Sequence, residues 1–224
     1  MVLEGKYELS IPSLRGNPFD GRPIESSRVN EIVGRDDLLS SWAELVRSGS
    51  TRMLLLVGEK GSGKTSIINQ LKREGYYCIK EYSREIIEQQ IKNKGNILPW
   101  KDQMAFESQV AKKRFKQYIS SPKDCICFFD RSNIDCIAYL KLNNLEPTSE
   151  MEQDIKKSCF NKSVFYTPIW KDIYITDHER KENIERAKMI EKTIIETYKK
   201  KGYKLIKVPK LSVKERVDFI ISRI

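Results

Sequence analysis

The sequence predicts an α/β fold, a mainly parallel sheet covered by helices on both faces to give three α/β/α layers. Three observations carry this. From Arg52 onward, short apolar runs alternate with helix-periodic segments, the pattern of strands joined by helical crossovers. The first run, Met53 to Val57, feeds a glycine-rich turn, Gly58-Glu59-Lys60-Gly61-Ser62-Gly63-Lys64-Thr65, which matches G-x-x-x-x-G-K-[ST] at every defined position. A later run, Cys125 to Phe129, ends in Asp130. That puts a carboxylate at the C-terminal edge of a strand, where open α/β sheets bind their ligands.

The glycine-rich turn is the strongest signal. Its glycines let the backbone turn tightly and aim N–H groups at one point, and the helix that follows adds the positive end of its dipole. Such a cradle binds the phosphates of a nucleoside triphosphate, with Lys64 reaching the β- and γ-phosphates and the Thr65 hydroxyl ligating Mg2+. Gly58 through Thr65, with Ser66 beside them, are therefore the expected nucleotide contacts. Asp130 is the expected second magnesium position, acting directly or through water. The cofactors implied are ATP and Mg2+. No N-K-x-D guanine motif is present, which favours ATP over GTP.

Taken in order, residues 1–30 hold Gly, Pro, Ser and Asn with little periodicity and read as an extended arm. Leu38, Leu39, Trp42, Leu45 and Val46 then follow helical spacing, with Asp36 or Asp37 as cap and Gly49 as stop. Residues 1–50 are thus an arm and an amphipathic helix, and residues 51–224 the domain proper. Within it, Thr65 to Arg73 is helical, with Ile67, Ile68 and Leu71 inward and Gly75 as terminator. Tyr76 to Tyr82 is a second strand. Arg84 to Lys94 is helical through Ile86, Ile87 and Ile91, and Asp102 to Ile119 through Met104, Val110 and Phe115. Cys125 to Asp130 is the third strand, Asn133 to Leu142 a helix, Pro147 to Cys159 loop and helix, and Ser163 to Ile169 the fourth strand. Asp177 to Lys201 is a long charged helix with Ile184, Ala187, Ile190, Ile194 and Tyr198 on one side. Tyr203 to Val208 is the last strand. Ser212 and Glu215 have capping-box spacing, and the helix they open turns Val213, Val217, Ile220, Ile221 and Ile224 to the core.

The bulk numbers bound the function. A chain of 224 residues, 39% hydrophobic and 32% charged, can bury one α/β core. No apolar run approaches the ~18 residues of a transmembrane helix, and the N-terminus lacks the apolar core of a signal peptide. Of the five cysteines none forms a C-x-x-C pair, and His178 is the single histidine. Zinc is not expected, and the cysteines read as reduced thiols of a cytoplasmic protein. The net charge of +10 admits weak, salt-sensitive association with polyanions such as nucleic acid or anionic lipid, or reflects ordinary solvated lysine faces. Before Gly58 the basic residues are one lysine and six arginines; from Gly58 on they are 26 lysines and eight arginines. A biased N-terminal arm explains the shift, as does the joining of two sequences of different origin.

Two resemblances sharpen this. Asn17-Pro18-Phe19, then Ile32-Val33-Gly34-Arg35 and an amphipathic helix, resemble the N-terminal lead-in of AAA-type ATPases, which implies Ile32 and Val33 against the adenine. From the glycine-rich turn on, the chain departs from motor ATPases of that class. Arg131, where they carry a glutamate, follows Asp130, and the tail holds a strand and a capped helix instead of a helical lid. Asp130-Arg131-Ser132 resembles the "DR" or "ERS" box of nucleoside and nucleotide kinases. The resemblance implies that the acid works near magnesium and that Arg131 holds a phosphate. Glu81, at the end of the second strand, stands where those kinases place the carboxylate that takes the proton of the attacking hydroxyl; a surface charge or a partner for Arg84 is the other reading.

Further matches follow in order: Lys80-Glu81-Tyr82-Ser83-Arg84-Glu85-Ile86-Ile87, Leu98-Pro99-Trp100, Phe129-Asp130-Arg131-Ser132-Asn133-Ile134-Asp135, Trp170-Lys171-Asp172-Ile173-Tyr174, Asp177-His178-Glu179-Arg180 and Arg216-Val217-Asp218-Phe219-Ile220. With these, residues 58–224 resemble the NadR-type AAA domain family of P-loop ATPases, and the first 57 residues do not. The resemblance implies a kinase-like P-loop NTPase fold. It also implies a basic lid around residues 170–190, in which Arg180, with Lys181 and Arg186, closes over the phosphates. A solvated helix with ion pairs such as Glu182 with Arg186 is the plainer alternative.

Three functions fit the sequence: transfer of the γ-phosphoryl of ATP to a small-molecule acceptor or to water, a nucleotide-binding switch with slow turnover, and an AAA-type ATPase acting with a polyanionic partner, nucleic acid or phosphoinositide. The catalytic candidates are Lys64, Glu81, Asp130, Arg131 and Arg180.

Overall fold

The computed structural model describes residues 52–59, 61–170 and 184–224, all within one compact unit, residues 48–224. Five strands and seven helices alternate among the described residues. β1 (Met53–Gly58) leads to α1 (Lys64–Arg73), β2 (Tyr77–Ile79), α2 (Ser83–Lys92) and α3 (Gln103–Ser120). β3 (Cys127–Asp130) leads to α4 (Asn133–Lys141) and α5 (Ser149–Lys157). β4 (Ser163–Thr167), α6 (Ile184–Lys200), β5 (Lys204–Lys207) and α7 (Val213–Ile221) complete the order.

The sheet order is β2-β3-β1-β4-β5, and every pairing is parallel. β1 sits at the centre, in register with β3 from Met53 opposite Cys127 to Leu56 opposite Asp130. On its other side it runs with β4, from Leu55 opposite Val164 to Gly58 opposite Thr167. A central strand with both faces covered must be apolar throughout, and all six β1 residues are buried. Met53, Leu55 and Val57 face the core layer under α4, α5 and α6, with Phe129, Ile137, Ile155, Ile190 and Tyr198. Leu54 and Leu56 face the layer under α1 and α7, with Ile67, Leu71, Val217 and Ile220. A smaller cluster, Ile86, Phe106, Val110, Cys136, Leu140 and Met151, ties α2 and α3 to α4 and α5.

Several boundaries differ from the sequence reading. β2 stops at Ile79, because its partner β3 offers pairing only from Cys127 to Phe129 and Tyr82 turns to cap α2. β3 starts at Cys127, not Cys125. β4 ends at Thr167, where Pro168 has no N–H to continue the ladder. Ile91 is 58% exposed and Val213, the first residue of α7, is 37% exposed; neither faces the core. The expected capping box forms between Ser212 and Glu215, and Asp102, expected as the first residue of its helix, is instead its N-cap, its carboxylate accepting from Ala105 N at 2.9 Å. No helix among the described residues is long and apolar enough to cross a membrane.

Candidate active site

At the C-terminal ends of β1, β3 and β4 the chain builds one polar cluster on an apolar base. Gly63 adopts φ +74° as N-cap of α1, a left-handed conformation that costs a glycine nothing. Its neighbour Lys64 opens the helix. Gly58 lies so close to β4 that a Cβ there would run into the Thr167 side chain and carbonyl. Thr167 secures the loop from that side: its hydroxyl pairs with Ser62 Oγ at 2.7 Å and donates to the Val57 carbonyl at 3.2 Å. Thr65 and Ser66 are exposed in the first turn of α1, whose N-terminal N–H groups have no partners within the helix.

Lys64 is buried and ion-paired with Asp130, so β1's loop and β3's end meet side chain to side chain. Burial first, then the charge of Arg131, lowers the Lys64 ammonium to about 7. Beyond this pair lies a second ionic group centred on Arg131, which is buried and takes the left-handed φ of +72°. Its Nη2 donates to Glu59 at 3.0 Å and its Nη1 to Asp135 at 3.2 Å. Its Nε is 3.5 Å from the Glu81 carboxylate, and its guanidinium carbon is 5.6 Å from the centre of the Tyr139 ring. The cluster is fixed from behind. Tyr139 donates to Glu59 at 2.7 Å, and Tyr198 donates to Asp135 at 2.6 Å. Asp135 also accepts from Ser132 N at 2.9 Å, closing a capping box on α4.

Glu81 leans on the same cations. It accepts from Arg114 Nη2 at 3.2 Å and from Ser83 Oγ at 3.0 Å, and its side chain is 32% exposed. Burial pushes its carboxyl up, but Arg131, Lys64 and Arg114 outweigh burial and hold it down at about 2. Arg114 itself is buried on α3 and donates to the Ser132 carbonyl at 2.8 Å. Glu107, two turns back on α3, is buried with no ion pair among the described residues, and burial raises it to about 7 against the pull of Arg114.

Of the residues expected from sequence, the structure brings Gly58, Glu59, Gly61, Ser62, Gly63, Lys64, Thr65, Ser66, Glu81, Asp130 and Arg131 to one end of the sheet. Ile32, Val33, Lys60 and Arg180 lie outside the described residues. Two expectations change. Glu59 stands in an undefined position of the loop motif, yet its side chain is buried against Arg131 and Tyr139 and anchors the loop to β3. Arg131 does not present a free guanidinium: both Nη atoms are engaged by Glu59 and Asp135, because in a buried site a cation needs carboxylate partners. Asp135, Tyr139, Arg114 and Tyr198 were given no role in the site from sequence. The spacing Ser132-x-x-Asp135 is a capping-box signal that marks one of them; the others rest on tertiary contacts with no local pattern.

The model of the AAA domain family matches residues 53–216. No curated protein matches the sequence. Among solved structures, the chain is similar to deoxyadenosine kinase from M. mycoides bound to dCMP and dCDP, at 20% identity and a TM-score of 0.54, over 76% of this chain and 97% of that one. It is also similar to NadR protein in complex with NR, at 17% identity and a TM-score of 0.58, over 84% of this chain and 58% of that one. NadR protein with NAD and AMP-PNP matches at 17% identity and a TM-score of 0.56, over 84% and 56%. At these identities the likeness is one of fold, and the shared fold is that of P-loop kinases.

Proposed function

We propose that this chain, which belongs to the AAA domain family, is a kinase-like phosphotransferase that binds Mg-ATP in the glycine-rich loop and passes the γ-phosphoryl to a small-molecule acceptor or to water. The observation that carries the reading is the convergence of two ionic groups, Lys64 with Asp130 and Arg131 with Glu81, at the mouth of the loop. A general base beside a phosphate-binding lysine is the minimum a phosphoryl transferase needs, since the rest of the catalysis is positioning and charge.

In this reading Gly58 to Ser66 hold the triphosphate, with Lys64 on the β- and γ-phosphates. Thr65 and Asp130 offer a hydroxyl and a carboxylate, hard oxygen donors that suit Mg2+; bound there, the ion would offset phosphate charge. Glu81 takes the proton of the attacking hydroxyl. At about 2 it is a weak base, but one of the cations holding it down is Lys64, and a triphosphate that draws Lys64 onto itself lets the Glu81 carboxyl climb. Arg131, with its Nη atoms committed, orients Glu81 instead of gripping a phosphate. Residues 51–224 form the catalytic domain.

The depressed Glu81 also favours a second reading, a nucleotide-binding switch with slow turnover. One experiment separates the two. Wild type is screened by thermal shift with ATP, GTP and candidate nucleosides, and turnover is measured on the hits. Glu81→Gln keeps shape but cannot take a proton, so ATP affinity stays near wild type while turnover falls at least about a hundredfold. Transfer or hydrolysis at the wild-type rate in Glu81→Gln contradicts the kinase-like reading.

A further inference from the structure

The ionic network occupies one side of the loop. Lys64, Asp130, Glu81 and Arg131 all lie toward β3, and β3 is one neighbour of β1 in the sheet. If the γ-phosphate ends there, the nucleoside leaves the loop on the other side, toward β4. What stands there is Trp170 and Arg216. β4 is locked to the loop through Thr167 and Ser62, and Trp170, half-buried, follows three residues on. Arg216 comes from α7. It is buried, and its Nη2 donates to the Ser62 carbonyl inside the loop at 2.8 Å. Its guanidinium carbon stands 5.8 Å from the centre of the Trp170 ring, within cation–π range. Its Nε is buried with no hydrogen-bond partner among the described residues, polar capacity that folding ordinarily satisfies.

We propose that Trp170, braced by Arg216, forms the nucleoside end of the site, a platform for the purine ring of the nucleotide whose phosphates the loop holds; this rests on reading the loop as a triphosphate cradle. The Arg216 guanidinium, buried and bonded to the loop backbone, lies over the indole and holds it at a fixed distance from the phosphates, and the half-buried indole supplies a flat, electron-rich surface. Such a surface takes a base by its face. Face stacking is tolerant of base identity because every base has a π-face, so the platform accepts adenine and guanine alike and leaves discrimination to other groups.

The test compares ATP, GTP and inorganic tripolyphosphate, each with magnesium, by calorimetric titration of the full chain. Tripolyphosphate reaches the loop but has no base. Trp170→Leu weakens ATP and GTP by about tenfold, the scale of one base–aromatic stack, and leaves tripolyphosphate within about twofold of wild type. Trp170→Phe, which keeps an aromatic face, retains most of the ATP affinity and guards against a folding defect. Unchanged ATP affinity in Trp170→Leu overturns the platform. So does equal loss of ATP and tripolyphosphate, because Trp170 would then act on the loop itself. If wild type binds neither ATP nor tripolyphosphate, the cradle reading fails and the platform falls with it. If wild type binds both and only the Trp170 split is missing, the platform alone is wrong.

Discussion

Arg131→Met tests whether one buried cation holds the site together. Methionine has similar length and fills the same space, so the change removes charge and hydrogen bonds more than volume. It deprives three carboxylates of a partner: Glu59 at 3.0 Å, Asp135 at 3.2 Å and Glu81 at 3.5 Å. Glu59 keeps Tyr139, Asp135 keeps Tyr198 and Ser132 N, and Glu81 keeps Arg114 and Ser83. Because each retains other donors, the cost should match one broken buried pair, about 3–5 kcal/mol, and not three. With a urea slope of about 2 kcal/mol/M, the unfolding midpoint should fall by about 2 M.

The pH dependence gives the sharper test. In wild type Glu81 sits at about 2, below its ordinary 4.5, so its stabilisation is complete above 4.5 and is lost as pH falls toward 2. Arg131→Met removes the largest of the cations that hold Glu81 down, so its carboxyl climbs back toward 4.5 and the variant has less of this stabilisation to lose in acid. The gap between the two proteins should therefore narrow as pH falls from 4.5 toward 2. Urea melts of both proteins at pH 7.5 and in that acid window decide it. Equal midpoints at pH 7.5, or a gap that widens in acid, would refute the assignment of Arg131 as the hub.

Asp130→Asn should weaken magnesium-dependent ATP binding more than metal-free binding, because Asp130 is assigned to the cation; equal loss in titrations with and without Mg2+ would make it purely structural. Glu107→Gln should stabilise the fold at pH 8 and do little at pH 4. The buried carboxyl is raised to about 7, so it costs stability as pH climbs through the window from 4.5 to 7 and nothing below it; a larger loss at pH 8 than at pH 4 in thermal melts contradicts this. Binding to a polynucleotide should be weak and without sequence preference. If about six phosphates are engaged it should fall ~10³-fold or more between low and moderate salt. Tight binding at moderate salt, or manyfold stimulation of ATPase activity by nucleic acid, would favour a polyanion-coupled ATPase.

The sequence was most legible where local pattern and tertiary role coincide. Met53 to Val57 is apolar because both faces of a central strand are covered, and the loop that follows is defined by backbone geometry that only its glycines allow. Asp130 could be placed because a strand that ends in a carboxylate puts it at the sheet edge. Edges were less legible. β2 is three residues long, since an edge strand lasts only as long as its neighbour pairs with it, and no residue between Ile79 and Tyr82 announces the stop. The ionic network was half visible. Glu81 and Arg131 were marked by position, but Glu59 fills a wildcard of the motif, and Arg114 and Tyr198 sit on helices whose spacing reports only an apolar face. Buried charge on an amphipathic helix looks like solvated charge until the partner is known. Trp170 and Arg216 are 46 residues apart in sequence by their numbers, and only the packing of β4 and α7 against the loop brings them together.

The central claim is that the loop from Gly58 to Thr65 holds a nucleoside triphosphate through Lys64. Ligand that binds only the folded state adds RT ln(1 + [L]/Kd), about 2.7 kcal/mol at a hundredfold excess over Kd. The direct measurement is the increment in unfolding free energy that Mg-ATP gives wild type and Lys64→Ala, each against its own ligand-free baseline, because losing the ion pair with Asp130 shifts the variant's baseline as well. The account predicts that increment for wild type and none for Lys64→Ala at the same ATP concentration. An equal increment in both proteins would contradict it.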